Sequence, residues 1–211
     1  MIYELRTYTL PPGALPKYLK LAEEVGRPAR GNNYGINHGY WTSEFGTLNQ
    51  IWHLWSYESY DERTRLRTEL AKNPKWTNDY VAAIRPLLLR QDLRLMNAVI
   101  DPRPPTGVSN VYELRIYRTH VGNARPWAEL FQSILPIREK YSKIVGLWTG
   151  EFPQPNEAVH MWAYPDLNAR TAARAAVAKD PAWQEFIPKS TPQLAEMQSI
   201  LLLPTNYSAM K

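Results

Sequence analysis

The chain has no cysteine, which excludes disulfides, thiolate metal sites and a cysteine nucleophile. It has no apolar run near the length of a membrane span. A net charge of +5 and a pI near 9.3 invite a nucleic-acid reading, yet no run of five or more like charges is present. Bases and acids are interleaved, as in Asp61-Glu62-Arg63, and no nucleic-acid module is recognisable, so no nucleic-acid partner is expected. Missing too are a phosphate-cradling glycine motif, a GxSxG elbow and an HExxH pair among the four histidines (His38, His53, His120, His160). A strand pattern that starts at Ile2 leaves no room for a signal or transit peptide, and a cytoplasmic location is the resulting expectation.

What the chain does hold is aromatic and repeated. Eight Trp and thirteen Tyr suit a core, a ligand cavity or an interface, because each ring buries a large area and carries a polar tip. His53-Leu54-Trp55-Ser56-Tyr57 recurs as His160-Met161-Trp162-Ala163-Tyr164, 107 residues on, and over residues 41–57 eight of seventeen positions are identical. Unrelated chains would share about one. Trp41-Thr42-Ser43-Glu44-Phe45 answers to Trp148-Thr149-Gly150-Glu151-Phe152, and Tyr3-Glu4-Leu5-Arg6 with Tyr8 to Tyr112-Glu113-Leu114-Arg115 with Tyr117. The chain is a duplication.

Each copy carries one order of elements. In the first, β-branched and aromatic residues 2–9 predict a strand, and Leu15, Tyr18, Leu19, Ala22 and Val25 a helix to about Gly26. A hairpin near 38–45 and 49–57 follows, then a helix opened by the capping pair Ser59 and Glu62, a further turn carrying Trp76 and Tyr80, and a strand near 87–97. The second copy repeats this over strands 110–118, 145–152, 157–164 and 194–203. Residues 1–100 and 110–211 therefore predict two ferredoxin-like βαββαβ repeats, with Asp101 to Ser109 as a proline-rich linker. Such a unit leaves one sheet face bare. Two copies that place their bare faces together give an α+β fold, an intramolecular pseudo-twofold dimeric α/β barrel with helices outside.

Strand alternation then assigns sides. The apolar sets are expected under the helices, leaving Glu4, Arg6, Tyr8, His53, Trp55 and Tyr57, with Glu113, Arg115, Tyr117, His160, Trp162 and Tyr164, to face the barrel interior. The candidate catalytic residues are His53, His160, Glu4, Glu113, Tyr57 and Tyr164, and the candidate ligand contacts Arg6, Arg115, Tyr8, Tyr117, Trp41, Trp148, Trp55 and Trp162. A neutral His can serve as base, a nearby Glu can hold its tautomer, and Tyr or Arg can stabilise an enolate-like oxyanion. Such chemistry would fit isomerisation, cyclisation or oxygenation of a small aromatic or polyketide-like molecule without a cofactor. The same residues could equally form a salt-bridged plug in a non-catalytic ligand-binding or protein-interaction scaffold. A metal held by His53, His160, Glu4 and Glu113 across the pseudo-twofold axis is conceivable, but neither metal nor cofactor is expected; exposed aromatic surface could support a homodimer.

The ordered set Tyr-Glu-Leu-Arg-x-Tyr, Trp-Thr-x-Glu-Phe and His-x-Trp-x-Tyr before a charged helix resembles the NIPSNAP family, once in each half. The resemblance implies the dimeric α/β-barrel fold, in a superfamily of cofactor-free monooxygenases, polyketide cyclases, lactone isomerases and haem-containing enzymes. The family itself has no agreed chemistry, and its animal members are linked to mitochondria and vesicle traffic. The halves differ in places: His38 has no His counterpart and Thr9 becomes Arg118.

Overall fold

The computed structural model describes residues 1–107 and 110–211; residues 108 and 109 of the expected linker lie outside the described residues. The first half contributes β1 (Ile2–Thr9), β2 (Ile36–Phe45), β3 (Gln50–Tyr57) and β4 (Arg90–Ile100), and the second β5 (Val111–Thr119), β6 (Ile144–Phe152), β7 (Glu157–Tyr164) and β8 (Leu194–Pro204). In the first half α1 (Leu15–Leu21) runs through a wide π-type segment into α2 (Arg27–Arg30), followed by α3 (Tyr60–Leu70) and, after a second π-type segment, α4 (Ala82–Ile84). The second half has α5 (Ala124–Arg138), α6 (Leu167–Val177) and α7 (Pro181–Ser190).

Local chemistry sets the helix starts. The Ser59 hydroxyl accepts the Glu62 N–H and opens α3, and the Asp166 carboxylate accepts the Ala169 N–H and opens α6. Asp180 caps α7, whose first residue is Pro181, a position where a missing N–H costs nothing. The expected fourth strand starts three residues late, because Arg85–Leu87 form a 3-10 turn around Pro86 that takes up the start of the leucine alternation.

All eight strands close into an antiparallel barrel in the order β1-β3-β2-β8-β5-β7-β6-β4. Within each half the order is that of a ferredoxin-like unit. Between halves, β2 pairs with β8 and β4 with β6. Each repeat thus covers the other's open edges, so that among the described residues no barrel strand is left with an unpaired edge.

The side assignment made from alternation is inverted. Tyr3, Leu5, Trp52, Leu54 and Met96 of one half meet Tyr112, Leu114, Val159, Met161 and Leu202 of the other in a single buried cluster inside the barrel. Trp55 and Tyr57 instead pack with Tyr18, Tyr80 and Ile84 under the first half's helices, and Trp162 and Tyr164 with Trp127, Phe131 and Phe186 under the second's. The reason is volume and water. An eight-stranded barrel is just wide enough for side chains to fill, so its interior is dry and takes the larger apolar set. The helix-covered outer face has gaps that reach solvent and can host charge.

Trp41 and Trp148 also lie in the barrel interior. Each indole lies over a glycine two residues earlier on its own strand: a Cβ at Gly39 would stand 2.3 Å from the Trp41 ring, and one at Gly146 2.3 Å from Trp148. Gly39→Ala and Gly146→Ala should each cost about 1–3 kcal/mol through overpacking, measured as a fall in denaturant midpoint against wild type. An unchanged midpoint would mean the rings are not seated there.

Candidate functional site

Cross-strand pairing builds the site twice. On β1 and β3, Glu4 stands opposite Trp55 and Arg6 opposite His53; on β5 and β7, Glu113 stands opposite Trp162 and Arg115 opposite His160. Directly opposed residues share a face, so each group is brought together on the outside of the barrel.

Both carboxylates are wholly buried, with 0% exposure, and each is met by arginines from its own strand and from the helix after the hairpin. Arg6 donates to Glu4 at 2.9 Å, Arg63 of α3 also donates to it, and Arg67 stands at 3.8 Å. Glu113 receives Arg115 and Arg170 of α6 at 2.7 Å each and the Ser199 hydroxyl at 2.8 Å, with Arg174 at 3.9 Å. Burial alone would raise these pKa values; the arginines outweigh it, lowering Glu4 and bringing Glu113 to about 2. These ion pairs tie helices to sheet. They are not a plug inside the barrel.

The histidines are fixed by tryptophan rather than by glutamate. Trp55 Nε1–H donates to His53 Nδ1 at 2.6 Å, and Trp162 Nε1–H to His160 Nδ1 at 2.8 Å. An indole nitrogen only donates, so Nδ1 is the acceptor and a neutral ring carries its proton on Nε2. Both imidazoles are 2% exposed, and in both the Nε2 meets no hydrogen-bond partner among the described residues. Desolvation and the surrounding arginine charges hold both pKa values well below the usual histidine range. Next to each pair an arginine lies over the indole: Arg30 at 3.3 Å from the Trp55 centroid and Arg138 at 4.3 Å from that of Trp162. Arg30 donates to the Tyr57 hydroxyl at 2.8 Å and Arg138 to that of Tyr164 at 3.4 Å.

Each half has its own cavity between sheet and helices. That of the second half, about 510 Å³, is lined by Arg115, Tyr117, Arg138, His160, Trp162 and Arg174, with Glu113 and Glu196 at the polar side and Trp127, Phe131, Trp183, Phe186 and Ile187 as an aromatic and apolar wall. That of the first, about 300 Å³, is lined by Arg6, Tyr8, Arg30, His53, Arg67 and Arg85 with Tyr18, Tyr40, Trp76 and Tyr80. The expected shared seam is therefore two separate sites on opposite sides of the barrel. His53 and His160 do not converge with Glu4 and Glu113 as one metal set; among the described residues no three His, Asp or Glu side chains do so. Trp41 and Trp148 lie on the other face of the sheet, away from both histidines. Tyr57 and Tyr164 are buried against Arg30 and Arg138 rather than lining the cavities.

Six arginines escaped the sequence reading: Arg30, Arg63 and Arg67, with Arg138, Arg170 and Arg174. A signal was present. Arg63 and Arg67 are four residues apart on one helical face, and Arg170 and Arg174 repeat them at the same offset of 107 that relates the histidines.

A barrel closed by two ferredoxin-like halves of one chain, with helix-covered cavities outside it, defines a dimeric α/β-barrel protein fused within a single polypeptide. A crystal structure of a candidate monooxygenase from Fusobacterium nucleatum shares that architecture at a TM-score of 0.73, with 13% identity over 100% of this chain and 97% of that one. The NIPSNAP family model matches twice, over residues 3–100 and 112–209. The chain belongs to the NIPSNAP family. It is 27% identical to the human Protein NipSnap homolog 3A over 100% of this chain and 86% of the relative. Against the Protein NipSnap homolog of Dictyostelium discoideum it is 29% identical over 96% and 87%. No helix among the described residues is long and apolar enough to cross a membrane.

The ion pairs predict the acid response. Glu113→Gln leaves three arginines without their counter-charge and should destabilise the fold by about 3–5 kcal/mol. A carboxyl lowered from 4.5 to about 2 contributes stability that is present above the unfolded value and lost as pH falls between them. The histidines, lowered from 6.5, act earlier: the unfolded chain binds protons that the native chain refuses, so stability should decline as pH drops below that value. Urea melts across pH will check both. His53→Phe with His160→Phe should flatten the upper limb, and Glu113→Gln the lower.

Proposed function

We propose that this protein binds a small organic molecule in the second half's cavity, an aromatic or polyketide-like body with a carbonyl or carboxylate at one end. One observation carries the reading: an apolar wall of Trp127, Phe131, Trp183 and Phe186 faces Arg115, Arg174 and His160 across a single space of about 510 Å³. That volume suits a small ligand. The wall takes the flat body, and the guanidiniums with the partnerless Nε2–H of His160 take the oxygen.

The hydrogen bonds support a donor's role for His160 in place of the base expected from the sequence. His160 has no free lone pair while Trp162 donates to Nδ1, so its role is that of a neutral donor and not of a general base. Glu113, held by Arg115, Arg170 and Ser199, does not set the tautomer and is no proton acceptor at neutral pH. What the site supplies is polarisation: a carbonyl oxygen received by Nε2–H and guanidinium gains stabilisation as enolate character develops. Isomerisation, cyclisation and oxygenation share that need where the substrate arrives as an enolate, as an acidic 1,3-diketone does after losing its C–H proton to solvent.

Tryptophan fluorescence will report binding, since Trp127, Trp162 and Trp183 line the space. In a panel of aromatic carboxylates and 1,3-diketones, the best ligand should bind His160→Phe about tenfold or more weakly, because one buried donor is worth about 1–3 kcal/mol. Affinity, and turnover where a substrate is found, should show no inflection near pH 6.5, since the ring stays neutral. A panel without a binder, or a binder indifferent to the substitution, sinks the reading. A bell-shaped profile centred on a histidine titration would restore the base.

A further inference from the structure

The two cavities have diverged in charge and in polarity, although they arise from one ancestral half. In the first, Arg6, Arg30, Arg67 and Arg85 line a space of about 300 Å³ that no carboxylate lines. In the second, three arginines are answered by Glu113 and Glu196 in the lining itself. Glu4 stands behind the first cavity and is already engaged by Arg6 and Arg63. The wall differs as well. Tyr18 and Tyr80, whose hydroxyls meet at 3.3 Å, stand where the duplicated positions are Trp127 and Ile187.

Much of the donor capacity of this cavity is unused. Arg6 spends Nη1 on Glu4 and Nε on the Tyr8 hydroxyl, which leaves its Nη2. Among the described residues neither Arg67 nor Arg85 donates a side-chain hydrogen bond, and the Arg67 guanidinium reaches Glu4 only at 3.8 Å. Arg30 and His53, 4% and 2% exposed, hold buried nitrogens (Nε and Nε2) with no partner among the described residues. Four guanidiniums around one recess repel one another, and unpaired buried donors are costly. A compact, multiply charged oxyanion relieves both, and arginine forks suit its geometry.

We infer that the first half's cavity is an anion site for a phosphate-class dianion, a phosphate or phosphate monoester, distinct from the site for an organic body in the second half. It needs nothing from that second reading: either can fail alone. Tyr18 and Tyr80 stand beside the retained Trp76, and four arginines face this wall, so the first cavity selects on charge and size.

Calorimetric titration of the full chain with inorganic phosphate, at matched chloride ionic strength, tests this. One site is expected. Arg67→Gln and Arg85→Gln, both reaching the solvent side and so sparing the core, should each weaken it on the order of tenfold, while the second-half counterpart Arg174→Gln should leave it unchanged. A soluble phosphate monoester that competes with phosphate would identify the free anion as the source. Flotation with phosphatidic-acid vesicles, lost in Arg67→Gln, would identify a lipid headgroup; both outcomes support the dianion site. Absence of phosphate binding overturns it, as does binding that Arg174→Gln weakens as much as Arg67→Gln.

Discussion

A carboxylate with no exposure to water, surrounded by guanidiniums, is the constraint on which each half of this molecule depends. Glu4 and Glu113 sit on the first strand of their repeats, and the arginines that meet them come from that strand and from the helix after the hairpin. A buried charge must be paired in good geometry, so the helix cannot shift along the sheet without uncovering it. A cavity lies beneath the helices beside each cluster of arginines.

Duplication explains why the arrangement occurs twice, and divergence why the two copies differ. The ion centre, the His–Trp pair and the arginine lying on the indole are kept in both halves. The cavity linings are not. Aromatic rings and aliphatic chains surround one space beside two carboxylates, and the other is lined by four tyrosines, Trp76, aliphatic chains and four arginines. Retained framework with altered lining fits the two unlike ligands proposed for the cavities.

The His–Trp pair narrows the chemistry. In each half an indole N–H takes the one lone pair that would let a neutral imidazole accept a proton. Surrounding positive charge opposes protonation of the ring. Both effects favour a neutral imidazole with its proton on Nε2, a tautomer that residue identity alone does not reveal. His as a base with Glu as its orienting partner is the common pairing. Here Arg6 and Arg115 occupy the carboxylates first.

The sequence alone determined the duplication, the order of elements and the closed barrel, because repeats, turn residues and strand alternation are local signals and a bare sheet face has few ways to be covered. It also singled out Glu4, Arg6, Tyr8 and His53 with their second-half counterparts as one group, since alternation places them on a common face whichever way that face points. Which way it points was decided only by the tertiary structure. Both sets alternate equally well, and the choice rests on which fits the dry, fixed volume of an eight-stranded barrel: Trp52, Leu54, Trp41 and their partners fill it, and the charged set goes outside, where helices bring Arg63, Arg67, Arg170 and Arg174 to meet it. Those arginines are distant in sequence from the carboxylates they neutralise, and a contact of that kind exists only once the chain has closed.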